Sequence, residues 1–227
     1  MAKLPQALVE SAFSGKCCLQ VGQGSELQSR YFQMEPTSRH QCLMYEGAPS
    51  VHLPALARVI RAKLRDNYRC LYLNSRPMVA GMKSYLAAEG VDVEREIARG
   101  SLVATSERHY LVNGIFNVDG MVLMLEETLQ RALGDGHAGL WATGDMSWEM
   151  GSEENLTKLL EYERRLEEFL EAHAEMGGVC QYRTDTLPAE AVRQGRIAHR
   201  SLFINETLSI LNTEYVHAGT RRVASSI

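Results

Sequence analysis

Along the 227-residue chain, short apolar runs alternate with longer stretches in which apolar residues recur every three or four positions. The short runs are Gln41–Tyr45, Cys70–Asn74, Leu102–Thr105, Gly139–Thr143, Val179–Tyr182 and Leu208–Asn212. None holds a charged residue and each is followed by polar or turn residues, which predicts strands buried on both faces. The intervening periodicity predicts helices over His52–Asp66, Val79–Glu89, Asp119–Leu133, Ser152–His173 and Pro188–Phe203. Asp119 suits a cap, and Gly90 and Gly134 suit helix ends. In Ser152–His173, Leu156, Leu159, Leu160, Leu166, Phe169 and Leu170 form the apolar stripe, and the Glu- and Arg-rich remainder reads as a solvated face.

Strand–helix–strand alternation repeated this often implies an α/β fold of three layers, a mostly parallel sheet with helices on both faces. The chain divides into an N-terminal extension (residues 1–36), the α/β domain (37–217) and a polar tail (218–227). Leu4–Phe13 reads as a short helix and Cys17–Val21 as an extra strand. Tyr110–Asn117 lies in a connection long enough for a lid.

Composition narrows the function classes. Lys and Arg number 24 against 28 Asp and Glu, a net charge of −4, and no basic cluster stands out, so direct nucleic-acid binding is not expected. The chain holds no apolar run long enough to span a membrane and no signal-peptide pattern, so a cytoplasmic location is expected. Cys17, Cys18, Cys42, Cys70 and Cys180 include no C-x-x-C pair, which argues against a zinc ribbon or a thioredoxin motif.

The chemistry common on such sheets is missing. A phosphate loop needs G-x-x-x-x-G-K-[ST]. At the Gly15-Lys16 pair, Glu10 replaces the first Gly and Cys17 the hydroxyl residue. The loop after the first core strand, Glu46-Gly47-Ala48-Pro49-Ser50, has no Lys. Neither G-x-S-x-G nor H-E-x-x-H occurs.

Three clusters remain. His40-x-Cys42 places two side chains on one face of a strand, where they can bind a soft metal or tune a thiolate. Cys180 is a possible third ligand, and a buried cysteine beside a hydrogen-bonded histidine is the commoner role for such a pair. Thr143, Asp145 and Trp148 fall at the carboxyl end of a strand, where open α/β sheets hold ligands. Cys180-Gln181-Tyr182-Arg183 again sets polar groups at a strand end.

The ordered set His40-x-Cys42-x-x-Tyr45-Glu46, Tyr110 with Gly114 and Phe116, Gly144-Asp145-Met146-x-Trp148, Tyr162-Glu163 and Cys180-Gln181-Tyr182 resembles the MEDS family. This is the methanogen/methylotroph sensory domain named for the repressor of dichloromethane dehalogenase. The resemblance covers about Thr37 to Tyr215. It implies a RecA/KaiC-like fold without a working phosphate loop and a non-enzymatic role in sensing small organic molecules. It also implies that the first core strand lies beside the fifth, bringing Cys42 near Cys180, with Asp145 on the next strand.

On that reading a ligand enters at the carboxyl ends of the strands. Glu46, Asp145 and Arg183 orient it, Tyr110 and Trp148 enclose it, and His40, Cys42, Tyr45, Cys180 and Tyr182 complete the lining. A variant makes Cys42 and Cys180 the sensing atoms. No cofactor is required by the sequence, and His40, Cys42 and Cys180 are the candidate metal ligands. The expected partners are a small molecule and either a separate signalling protein or a second copy, because the chain leaves no room for an output module. Two alternatives stand: a degenerate RecA-like ATPase using Glu46, Asp145 and Arg183, and a protein-interaction module presenting the Ser152–His173 helix.

Overall fold

The computed structural model describes residues 39–150 and 152–216. The expected helix at Leu4–Phe13, strand at Cys17–Val21 and polar tail lie outside the described residues, as does the side chain of Trp148. In chain order the core begins with β1 (His40–Tyr45), α1 (Leu53–Arg65), β2 (Tyr68–Leu73), α2 (Arg76–Ala88), α3 (Val93–Ala98) and β3 (Leu102–Thr105). A hairpin of β4 (Leu111–Val112) and β5 (Ile115–Phe116) follows, then α4 (Val118–Gly134) and β6 (Gly139–Asp145). The rest is α5 (Met146–Met150), α6 (Glu153–Leu156), α7 (Leu159–Ala172), β7 (Met176–Arg183), α8 (Ala189–Ala198), β8 (Ser201–Asn205) and β9 (Leu208–Leu211).

The main sheet runs β3-β2-β6-β7-β1-β8-β9. Its neighbours are parallel except β8 and β9. This is the three-layer, mostly parallel architecture of the RecA-like class, with the first core strand beside the fifth. Cys42 sits opposite Cys180, and Asp145 opposite Gln181.

Two cores flank the sheet. On one face Leu43, Cys70, Tyr72, Trp141 and Val179 pack against Leu56 and Ile60 of α1 and Met82 and Leu86 of α2. On the other, Cys42, Leu71, Leu73 and Cys180 pack against Met121 and Leu125 of α4 and Tyr162 and Leu166 of α7. Strand alternation sorts successive side chains onto these faces, so His40, Cys42 and Met44 point away from Gln41, Leu43 and Tyr45.

Three elements depart from the periodicity. The helix expected over Ser152–His173 breaks between α6 and α7. Asn155 anchors the break by accepting from Phe116 N at 2.8 Å and donating to Gly114 O at 2.9 Å and Met150 O at 2.7 Å. Its supposedly solvated face holds two buried acids, Glu163 and Glu167. The helix expected to reach Phe203 ends at Ala198, because His199 is extended (φ −114°, ψ 132°) and Ser201–Asn205 joins the sheet beside β1. Within the 110–117 connection, Asn113 (φ 53°) and Gly114 (φ 81°) form the two-residue turn of the β4–β5 hairpin. Asn117, rather than Asp119, caps α4 by accepting from Gly120 N at 3.1 Å.

Candidate functional site

The α7–α8 face of the sheet carries a buried cluster of ionisable groups. His40 opens β1, Cys180 lies in β7, Glu163 projects from α7, and His199 follows α8. Their ligand-type atoms all lie within 4.8 Å of one another. Glu163 Oε2 is 3.1 Å from His40 Nε2 and 3.5 Å from His199 Nε2. Cys180 Sγ is 3.6 Å from His40 Nε2 and 3.8 Å from Glu163 Oε2.

The surroundings fix the tautomers. His40 Nδ1–H donates to Glu167 Oε2 at 2.8 Å, because a carboxylate can only accept. His199 Nδ1–H donates to the Gly195 carbonyl at 2.6 Å. Each Nε2 is thereby left facing the cluster. The Tyr182 hydroxyl donates to Glu163 Oε1.

The two histidines titrate in opposite directions. Burial alone would push His40 down, but its hydrogen bonds to Glu163 and Glu167 outweigh it and hold the imidazole up at about 9. Burial, then the neighbouring charge on His40, pushes His199 down to about 4. Burial opposes ionisation of Glu163, yet His199, His40 and Tyr182 together hold its carboxyl below the ordinary value. Burial raises the thiols of Cys42 and Cys180, and Glu163 raises both further.

The opposite face carries a different network at the carboxyl ends of the strands. Tyr45 OH donates to Asp145 Oδ2 at 2.6 Å, and the Tyr45 ring lies 4.2 Å from the His52 ring. His52 Nε2–H donates to Gln181 Oε1 at 3.0 Å, Gln181 Nε2 to Thr143 Oγ1 at 2.8 Å, and Thr143 Oγ1 to Val179 O at 2.7 Å. Each of these donors is spent within the protein.

A third feature lies at the β3 side of the sheet. A groove of about 510 Å³ runs between β2–β3 and α4, lined by Leu71, Leu73, Val103 and Met124, with Tyr110 at its hairpin end. Among the described residues the buried Tyr110 hydroxyl has no hydrogen-bond partner, and neither has Glu149 Oε2 of α5. The two groups are close enough that Glu149, after burial, raises the Tyr110 phenol. Burial, then Asp145 and Glu163, pushes the Glu149 carboxyl well above its ordinary value.

The residues expected to line one pocket therefore separate. His40, Cys42, Cys180 and Tyr182 face α7 and α8, whereas Tyr45 and Asp145 bond to each other on the α1 side. Tyr110 lies beneath the hairpin. Glu46 and Arg183 stand at the exposed rim, where Glu46 accepts from Thr184 at 3.4 Å and Arg183 chelates Asp185 at 2.9 and 3.1 Å. Of the candidate metal ligands, Cys42 lies outside the four-residue cluster, and Glu163 and His199 stand in it.

Sequence reasoning missed His199, Glu167 and Glu149. His199 was hidden by extending a helix through it. Glu163 and Glu167 carry a readable signal, since acids four apart beside Tyr162 and Leu166 break the apolar side of α7. Glu149 has no sequence signal of its own.

A family model described as "MEthanogen/methylotroph, DcmR Sensory domain" matches residues 39–200, which include both buried faces and the groove. No curated protein matches the chain at a significant level. The fold agrees with the match, and its span takes in every core strand from β1 to β7. The chain belongs to the MEDS family of sensory domains.

Proposed function

We propose that the chain is a non-catalytic sensor whose ligand, a small organic molecule with an apolar body and one hydrogen-bonding group, occupies the groove between β2–β3 and α4. The observation that carries this reading is the buried Tyr110 OH, unpartnered among the described residues, at the hairpin end of a largely apolar groove; the unpartnered Glu149 Oε2 lines the small adjoining cavity, which shares Leu73 with the groove. A buried hydroxyl or carboxyl without a partner costs on the order of 1–3 kcal/mol. A ligand that supplies the missing partner recovers that cost and gains orientation. The groove volume of about 510 Å³ lies within the usual range for small-molecule sites. The hairpin over it is short and turns on Asn113-Gly114, so it can shift between two arrangements and report occupancy to a partner protein or a second copy.

Sensing by cysteine chemistry is less well supported. Cys42 and Cys180 are buried and their thiols are raised, whereas a reactive thiolate needs a lowered pKa and access. The nucleotide reading lacks a cradle, because the β1–α1 connection has no Lys and enters its helix through Pro49 and Pro54.

Amide NMR against a panel of small alcohols, amides and carboxylic acids tests the proposal. Shifts centred on Leu71, Leu73, residues 103–117 and the Met124–Arg131 stretch of α4, weakened in Tyr110→Phe, are the expected result. Binders that leave these amides unmoved, or micromolar binding of ATP with Mg²⁺, would overturn it.

A further inference from the structure

We propose that His40, Glu163, Cys180 and His199 form a closed, four-ligand site for a divalent transition-metal ion of zinc type. None of the four lines the groove, although Glu149 borders the small cavity that also touches His40 and Cys180, and the site does not depend on the small-molecule reading.

Four of the six ligand-atom separations already suit a tetrahedral ion. Around zinc, nitrogen and oxygen ligands sit about 2.0–2.1 Å from the metal and thiolate sulfur about 2.3 Å, so neighbouring ligand atoms are about 3.3–3.6 Å apart. The two carboxylate–imidazole separations are 3.1 and 3.5 Å, and the thiol–imidazole separation is 3.6 Å. The thiol–carboxylate separation is 3.8 Å. These four separations need to change by only a few tenths of an ångström, and all six lie within 4.8 Å, so modest side-chain movement completes the tetrahedron.

The outer groups are those a metal site requires. Both imidazoles donate Nδ1–H to a fixed acceptor, His40 to the Glu167 carboxylate and His199 to the Gly195 carbonyl. This is the arrangement that orients histidine Nε2 toward a metal. Glu163 keeps Oε2 in the cluster while Oε1 accepts from Tyr182. An independent observation points the same way: His199 Nε2 is fully buried, faces the cluster and has no hydrogen-bond partner among the described residues.

Two imidazoles, one thiolate and one carboxylate form a mixed donor set suited to zinc or cobalt(II). Four buried protein ligands make the site structural in kind. Loading is balanced in charge. The His40 Nε2 proton and the Cys180 thiol proton leave as the dication enters, so the buried site keeps its net charge.

The test uses the full chain, stripped with chelator and titrated with cobalt(II), with zinc in competition. One equivalent should bind with the intense visible bands of tetrahedral cobalt and a near-ultraviolet thiolate-to-cobalt band, and zinc should displace it. Cys180→Ser should abolish the thiolate band, whereas Cys42→Ser and Cys70→Ser should keep it. Tyr182→Phe should weaken binding about 10–100-fold without changing the band positions. If Cys180→Ser fails to fold, X-ray absorption of the zinc-loaded wild-type chain decides instead. One sulfur at about 2.3 Å with three nitrogen or oxygen neighbours supports the site. Uptake well below one equivalent, an octahedral cobalt spectrum, a thiolate band that survives Cys180→Ser, or a sulfur-free zinc shell would each overturn it.

Discussion

Glu149 shows how one side chain can be legible only in three dimensions. In the sequence it is one of 28 acids. In the fold it is fully buried, and its carboxyl fills the space that a side chain at position 144 would need, which explains Gly144 in β6. Burial, then Asp145 and Glu163, favours its protonated form. Its folded pKa is raised, so the associated stability is present below the ordinary value of 4.5 and is lost as pH rises toward the folded value. Across that window each pH unit costs up to about 1.4 kcal/mol. Glu149→Gln keeps the shape without the proton, so its urea midpoint should gain on the parent's as pH rises from about 5 to about 8. Parallel pH profiles for the two proteins would mean that Glu149 is ionised in the folded chain.

The cysteines make the complementary point. His40-x-Cys42 and Cys180 were readable as a cluster, yet no spacing rule distinguishes a ligand from its neighbour on the same face. Burial and raised thiols at Cys42, Cys70 and Cys180 predict that iodoacetamide leaves all three unmodified in the native chain and alkylates them only after unfolding. Peptide mass spectrometry reads this directly, and rapid native labelling of Cys180 would contradict its place in the core.

At the level of elements, the strands were the most legible part, because buried parallel strands are short, apolar and bounded by polar residues. The six strands read from the pattern all stand in the sheet, but the expectation of burial on both faces fails for Leu208–Asn212, whose β9 is an antiparallel edge strand with Leu208, Ile210 and Leu211 exposed. The misjudged elements were those whose ends are set by distant partners. Nothing near Leu156 signals a helix break, which depends on Asn155 reaching Gly114 and Phe116 about forty positions earlier in the chain. The β8 strand hides in a segment whose apolar residues fit either period. The Asn113-Gly114 pair carries a hairpin signal, yet the 110–117 connection reads as a lid-like loop until the two short strands are seen to pair.

Gly195 tests the packing of α8. In an unhindered helix interior, Gly→Ala gains up to about 1 kcal/mol. Here a Cβ would run into the Tyr182 ring, the residue that holds Glu163. Overpacking of that kind costs about 1–3 kcal/mol, so Gly195→Ala should destabilise the chain. Gly134→Ala, at a position with open space, is the control and should be neutral or stabilising. A raised melting temperature for Gly195→Ala would show that α8 stands off β7.

For the molecule as a whole, the layer arrangement followed from alternation, and the pairing of the first core strand with the fifth, with the strand of Asp145 next, followed from family resemblance. The division of the site did not follow from either, because sequence places residues at strand ends without saying which face carries the function. That division gives the two proposals separate signatures in amide hydrogen exchange. Strands β2, β6 and β7 are bonded on both sides and buried, so they should exchange slowest. Among the described residues β9 is bonded on one side only and exposes Leu208, Ile210 and Leu211, so it should open early, as should the β4–β5 hairpin. A small molecule in the groove should slow the hairpin and leave β1 and α7 unchanged. The metal ligands come from β1, α7, β7 and the α8–β8 junction, so zinc should slow those segments and leave the hairpin as it was. Zinc that protected only the hairpin would remove the metal from the cluster. A groove ligand that protected only the cluster would show that the two faces act as one site.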